Sequence, residues 1–239
     1  MEKQDFIQAL QTLKASSPKR KFTQSIDLII NLKDINLKQT DQQVDLYINL
    51  NFSNGKKRKI CALIGLEMLE QAKKVCDKVI TTEEFERLTK KDIKKISSDY
   101  DFFIAQANIM TTVAKFFGRI LGPKGKMPNP KAGCVVPPNA NLTLTCDKLQ
   151  KTVHVKAKTE YAVKARVGTE SMDENQVIDN MLTIYNTVVH ALPAEQNNIK
   201  NILLKTTMSA PLVVGAAGKA EIAKKKIARK QKAETGEAQ

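Results

Sequence analysis

Apolar and polar positions alternate strictly in two early stretches of the chain. Ile26, Leu28, Ile30 and Leu32 recur at every second residue, as do Val44, Leu46, Ile48, Leu50 and Phe52, with Asp45, Tyr47, Asn49 and Asn51 between them. A period of two puts one set of side chains on one face of a strand, so both stretches are predicted to be strands with one buried side. Ahead of them Phe6, Ile7, Leu10 and Leu13 recur at helical spacing and predict an N-terminal helix. Alternation returns with Val153, Val155 and Ala157, and again with Val163, Ala165 and Val167. A helix is predicted next, because Ser171 and Glu174 have capping-box spacing and Val177, Met181, Ile184, Tyr185 and Val188 line one face.

The middle of the chain has a different texture. The apolar run Ile60–Ile64 precedes helix-spaced Leu66, Leu69 and Ala72; Val79 and Ile80 precede a capping box from Thr81 to Glu84 and helix-spaced Phe85 and Leu88. Residues 101–105 form another apolar run, leading into a helix around residues 109–120. Short buried strands alternating with helices predict a parallel, three-layer α/β unit. Residues 141–151 fit two readings, a strand from Leu142, Leu144 and Cys146 or a short helix. The fold class is therefore α/β with two nested domains. A mixed α/β base is built from residues 1–53 and 155–215 and is interrupted by an α/β insert over residues 54–154. Asn54-Gly55 suits the crossing, since glycine accepts backbone angles that other residues avoid.

Composition narrows the function. The 239 residues, 42% of them hydrophobic, suffice for a core, and 39 Lys and Arg against 25 Asp and Glu give a net charge of +14. Such an excess points to a polyanionic partner, and nucleic acid is the commonest. No apolar run approaches the ~18 residues of a membrane span, and the first six residues are not those of a signal peptide. A cytosolic chain without a membrane partner is expected. Cys61, Cys76, Cys134 and Cys146 lack C-x-x-C spacing and His154 and His190 lie far apart, so neither a zinc site nor a disulfide framework is expected, and no cofactor. Residues 216–239 carry seven basic and three acidic residues and almost no large apolar one, which predicts a flexible basic tail.

Three segments carry candidate chemistry. Residues 121–133 pack three Gly, three Pro and three Lys into thirteen positions. A phosphate-binding G-x-x-x-x-G-K-[ST] loop is excluded there, because Gly122 and Gly125 are three apart and Met127 follows Lys126. Gly122-Pro-Lys-Gly125 matches a G-x-x-G RNA clamp, but Pro128 and Pro130 block the helix that must follow it. Residues 205–211 form a polar, small-residue turn whose hydroxyls and Met208 suit ribose, phosphate and base faces. Lys19, Arg20 and Lys21 stand beside Phe22, cations next to a ring that can stack. No catalytic constellation occurs: there is no H-E-x-x-H, G-x-S-x-G or Cys/His pair in context, and no G-x-G-x-x-G follows the first insert strand.

The segment Gly118-Arg-Ile-Leu-Gly-Pro-Lys-Gly-Lys-Met-Pro-Asn-Pro-Lys131 closely resembles the L-one family of large-subunit ribosomal proteins. Further along the chain, Lys21-Phe22-Thr23, Val163-Lys-Ala-Arg-Val-Gly168 and Thr206-Thr-Met-Ser-Ala-Pro211 resemble other family segments, and Val136-Pro-Pro-Asn-Ala140 resembles the archaeal branch. The resemblance implies a base that binds ribosomal RNA stalk helices and a Rossmann-like insert facing transfer RNA at the exit site. It further implies a structural protein, monomeric within the cytoplasmic ribosome, that helps release deacylated tRNA and represses translation of its own mRNA. Carried over by residue, the RNA-contacting set is Lys21, Phe22, Thr23, Lys164, Arg166, Gly168, Met172, Thr206, Thr207, Met208 and Ser209. The insert's family loop contributes Gly122, Pro123, Lys124, Gly125, Lys126, Met127, Pro128 and Lys131. One departure stands out: the family has Gly after Met, where this chain has Ser209 and Ala210 before Pro211. The alternative is a non-ribosomal RNA-binding regulator or assembly factor of the same fold.

Overall fold

The computed structural model describes residues 3–39 and 42–215, so the tail read at 216–239 lies outside the described residues. The chain runs α1 (Lys3–Ser16), β1 (Ser25–Leu32), β2 (Val44–Asn49), β3 (Ile60–Ile64), α2 (Leu69–Val75), β4 (Lys78–Thr81), α3 (Thr82–Phe85) and α4 (Lys90–Asp99). It continues through β5 (Phe102–Gln106), α5 (Met110–Leu121), β6 (Val135–Val136), α6 (Leu142–Lys151) and β7 (Thr152–Ala157). It closes with β8 (Ala162–Thr169), α7 (Glu174–Ala191), β9 (Ile199–Thr206) and β10 (Leu212–Val213). Two compact units result, a base formed by the chain up to Gly55 and from Val153 onward, and an insert over Lys56–Thr152.

In the base, β1 is an inner strand of the antiparallel sheet β10-β9-β1-β8. Ile26, Leu28, Ile30 and Leu32 are buried in one core with the apolar faces of α1 and α7. Phe6 of α1 and Tyr185 of α7 meet there with ring centroids 5.9 Å apart. Strands β2 and β7 form a second, two-stranded sheet. The capping box expected from Ser171 to Glu174 does not form: Asp173 is the N-cap residue and makes no side-chain cap bond. Glu174 instead accepts from Lys14 Nζ at 2.9 Å, which ties α7 to α1, while the Ser171 hydroxyl lies 3.1 Å from that of Thr169.

The insert is a parallel sheet of order β4-β3-β5-β6 with helices on both faces. Ile60, Ala62 and Ile64 of β3 share a core with Ala72 of α2 and Leu142, Cys146 and Leu149 of α6. On the opposite face Cys61 and Leu63 pack with Phe85, Ile93, Phe117 and Leu121 from α3, α4 and α5. Residues 141–151 resolve as helix α6. Asn141 Oδ1 accepts from Thr143 N at 3.0 Å, and helical spacing buries Leu142, Cys146 and Leu149 while Leu144 is 61% exposed. The capping box from Thr81 to Glu84 is present. Among the described residues no helix is long and apolar enough to cross a membrane.

The strand end that leaves the base is clamped. Buried Asn180 of α7 accepts from Phe52 N at 3.2 Å and donates to the carbonyls of Phe52 at 3.2 Å and Val167 at 3.0 Å. Gly55 then adopts φ +74, and a Cβ there would lie 2.7 Å from Thr169 Cγ2. Gly55→Ala therefore combines backbone strain with a clash and should destabilise the base by about 1–3 kcal/mol, read from the urea unfolding midpoint. Removing the obstructing methyl with Thr169→Ser should recover part of that loss.

Candidate nucleic-acid interface

Three segments distant in sequence meet where β1 begins and β8 and β9 end. Ser25 is opposite Thr169, and Ile26 is opposite Gly168 on one side and Thr206 on the other. Register alone thus gathers the predicted residues of all three segments at one end of the base sheet.

Gln24, which the sequence reading did not single out, joins them. It is fully buried; its Nε2 donates to the Pro18 carbonyl at 2.9 Å and its Oε1 accepts from Met208 N at 3.2 Å. Its backbone carbonyl accepts from Glu170 N at 2.9 Å, so one residue touches all three segments. Thr207 adds a second tie, its N–H donating to the Ser25 carbonyl and its hydroxyl accepting from Ser25 N, both at 3.1 Å. Within the turn, Ser209 Oγ accepts from Thr206 N at 2.9 Å, and the Thr206 and Ser17 hydroxyls are 2.6 Å apart. Neither Ser209 nor Ala210 has a positive φ.

Burial divides the predicted set into a surface and its supports. Lys21, Phe22, Thr23, Thr207 and Met208 are exposed, Phe22 and Met208 each at 51%, which is unusual for such large apolar side chains. Ser209 and Met172 are half-buried, whereas Thr206 and Gly168 are buried. A β-bulge explains Gly168. The pairing of β1 with β8 skips one residue between Ile26 and Asp27, so Val167 and Gly168 are both buried where alternation would expose one of them. A Cβ on Gly168 would lie 3.1 Å from both Met172 Sδ and Val177 Cγ2, so this glycine seats Met172 beneath the rim.

The remaining predicted cations stand on the polar face of the sheet. Asp27 of β1 is flanked in register by Arg166 of β8 and Lys205 of β9. Burial raises the Asp27 carboxyl above its ordinary pKa, and the charges of Arg166 and Lys205 oppose that rise. Arg166 Nε is buried without a hydrogen-bond partner. Lys164 is ion-paired with Glu160.

In the insert, part of the Gly/Pro/Lys loop is tied into the fold. Lys126 Nζ donates to the carbonyls of Ser97 at 2.9 Å and Tyr100 at 2.7 Å, capping the C-terminal end of α4, and desolvation lowers its pKa. Lys124 Nζ donates to Ser98 Oγ at 3.0 Å. Met127 packs on the adjoining core and Pro128 is buried. Gly125 has φ +65, and no α-helix starts until α6, so Gly122 and Gly125 do not form the RNA clamp weighed above. Gly122, Pro123, Lys124, Gly125 and Lys131 are exposed.

Strand order β4-β3-β5-β6 places a topological switch point between β3 and β5, where such sheets receive ligands. Here that crevice is filled from within. Buried Gln106 accepts from Gly65 N at 3.0 Å and donates to Glu67 Oε2 at 3.3 Å. The amide that would meet a phosphate is occupied, and a carboxylate stands beside it.

The family described as Ribosomal protein L1p/L10e family matches residues 13–210. A large ribosomal subunit protein uL1 of Nanoarchaeum equitans is 39% identical over 194 residues, 80% of this chain and 90% of that protein. Those of Methanothermobacter thermautotrophicus and Thermococcus kodakarensis are 37% and 35% identical, covering 86% and 89% of this chain and 96% and 98% of theirs.

Two substitutions separate support from surface. Gln24→Ala strands the Met208 amide and the Pro18 carbonyl, and should cost about 1–3 kcal/mol together with faster hydrogen exchange at Met208 N–H. Lys126→Met should lower stability by about 1 kcal/mol through the lost α4 cap, measured by thermal unfolding, and leave the exchange rate at Met208 unchanged.

Proposed function

We propose, from the premise that this chain belongs to the ribosomal protein L1p/L10e family, that its base grips a folded segment of large-subunit ribosomal RNA at the rim where β1, β8 and β9 meet. It is a structural protein of the ribosome and makes or breaks no bond. The observation carrying this reading is that Gln24 and Thr207 fix the three segments into one edge while Phe22 and Met208 remain exposed on it. Exposed apolar side chains on a hydrogen-bonded edge suit splayed or irregular RNA, which is read by stacking and by ribose and phosphate contacts. Lys21, with Lys19 and Arg20 beside it, supplies the nearby phosphate contacts.

The insert is proposed to face the exiting tRNA. What supports this is its charge. Residues 54–154 carry a net +9, the tail +4 and the rest of the chain only +1. Lys90, Lys91, Lys94 and Lys95 are exposed on or beside α4, near Lys124. Such a surface attracts RNA without reading its sequence. Binding to the chain's own mRNA would use the same base rim.

RNA crosslinking followed by sequencing tests the partners together, with large-subunit ribosomal RNA expected as the main species crosslinked to the base. Phe22→Ala and Met208→Ala should each weaken that complex by about 1–3 kcal/mol, measured by titration, without changing the unfolding midpoint. Unchanged affinity in both variants would move the site elsewhere. Truncation after Gly215 should mainly flatten the dependence of affinity on salt.

A further inference from the structure

Two thiols meet at the edge of the insert core formed by β3, α2 and α6. Cys76 caps the C-terminal end of α2 in extended backbone conformation and is half-buried; Cys146 lies within α6 and is 5% exposed. Their sulfurs are 3.7 Å apart, in direct contact. The hydrogen bond between them lowers the Cys146 thiol and raises that of Cys76, so Cys146 is the first of the two to ionise. The other two cysteines are sealed: burial pushes Cys61 up to about 12 and Cys134 up to about 11. One partly open thiol therefore sits against one ionisable thiol, and a disulfide requires that contact to close to about 2.05 Å. Cys76 is the C-cap of α2, held by its N–H to the Ala72 carbonyl at 2.8 Å, so closing the gap falls to side-chain rotation about a fixed backbone.

We propose that Cys76 and Cys146 are a reversible disulfide site, formed by exchange with a small disulfide of the glutathione class. The Cys146 thiolate takes the Cys76 proton across their contact, and Cys76, the more open of the two, attacks one sulfur of that disulfide and expels a glutathione thiolate, which takes that proton on from Cys146. Cys146 then attacks Cys76 Sγ as thiolate and expels the second. The two protons of the cysteines end on the two leaving thiolates; two protein thiols are oxidised and one glutathione disulfide is reduced to two thiols. The bond joins positions 70 residues apart, fastening the end of α2 to the helix that leads into β7.

The test incubates the reduced full-length chain with glutathione disulfide, folded or in urea, and maps tryptic peptides without reduction. The folded chain should yield peptide 75–78 joined to peptide 132–148, with tandem mass spectrometry placing the bond at Cys146 rather than Cys134, and dithiothreitol should reverse it. In urea that selectivity should fall at least tenfold. Cys146→Ser, or Cys146→Ala if the serine variant does not fold, should stop at a stable glutathione adduct on Cys76. Free thiols at both positions, an adduct alone in the unmodified chain, or a Cys76–Cys134 bond would each overturn the proposal.

Discussion

Strand β1 is hydrogen-bonded to β8 on one side and to β9 on the other, and everything in the base follows from that double pairing. Both partners come from beyond the insert, so the central strand of the base sheet has no neighbours until the chain has returned. The pairing is held by burial: Ile26, Leu28, Ile30 and Leu32 fill one core with residues of α1 and α7, and a one-residue slip would turn that face to water. The same register sets the first residues of the strand. Ser25 meets Thr207 because Leu28 must meet Leu204, and the bulge at Val167 sets it opposite Thr169 rather than Gly168. The candidate rim is thus an outcome of core packing together with that one bulge.

Much of this was legible in the sequence, and some residues show more signal than was taken from them. Gln24 lies on the even-numbered parity of β1, the buried one, so a polar side chain there has to find partners inside. Thr206 likewise continues the buried parity of Ile202 and Leu204, which sets its hydroxyl inward against Ser17. Asn180 sits on the apolar stripe of α7 and resolves in the same way, as a buried amide holding Phe52 and Val167. What alternation could not give is the bulge at Val167, since a single extra residue leaves no mark on composition or period. Local spacing also misled at Ser171 and Glu174, where an ion pair to Lys14, distant in sequence, competes with the cap.

The excess charge and the exposed apolar rim occupy different parts of the chain. Net charge points to nucleic acid, yet the base is close to neutral outside the tail and the insert holds most of the excess. Even within the insert the most distinctive lysines are partly committed, Lys126 to the end of α4 and Lys124 to Ser98. The loop that carries the family resemblance thus spends part of its charge on its own fold, while Lys90, Lys91, Lys94 and Lys95 of α4 stand exposed. What the base presents is shape: two exposed apolar side chains on an edge held by hydrogen bonds, beside Arg166 and Lys205, which bracket Asp27 on the adjoining face.

The substitution of Ser209 and Ala210 where the family's signature has glycine bears on both fold and contact. Glycine in a tight turn is required when φ is positive or when something approaches the backbone closely. The first requirement is absent here, since neither residue has a positive φ. The serine also contributes a bond that glycine lacks, its Oγ accepting from Thr206 N at 2.9 Å and donating to the Ala210 carbonyl at 3.1 Å, so the turn is closed by a side chain. Only the second requirement remains, and it concerns the partner. With Ala210 exposed and Ser209 half-buried, two added Cβ atoms stand beside Met208 on the edge proposed to meet RNA. On that proposal, an RNA backbone that packs against glycine would have to lie farther out, and the contact would rest more on the exposed Met208 and Phe22 side chains.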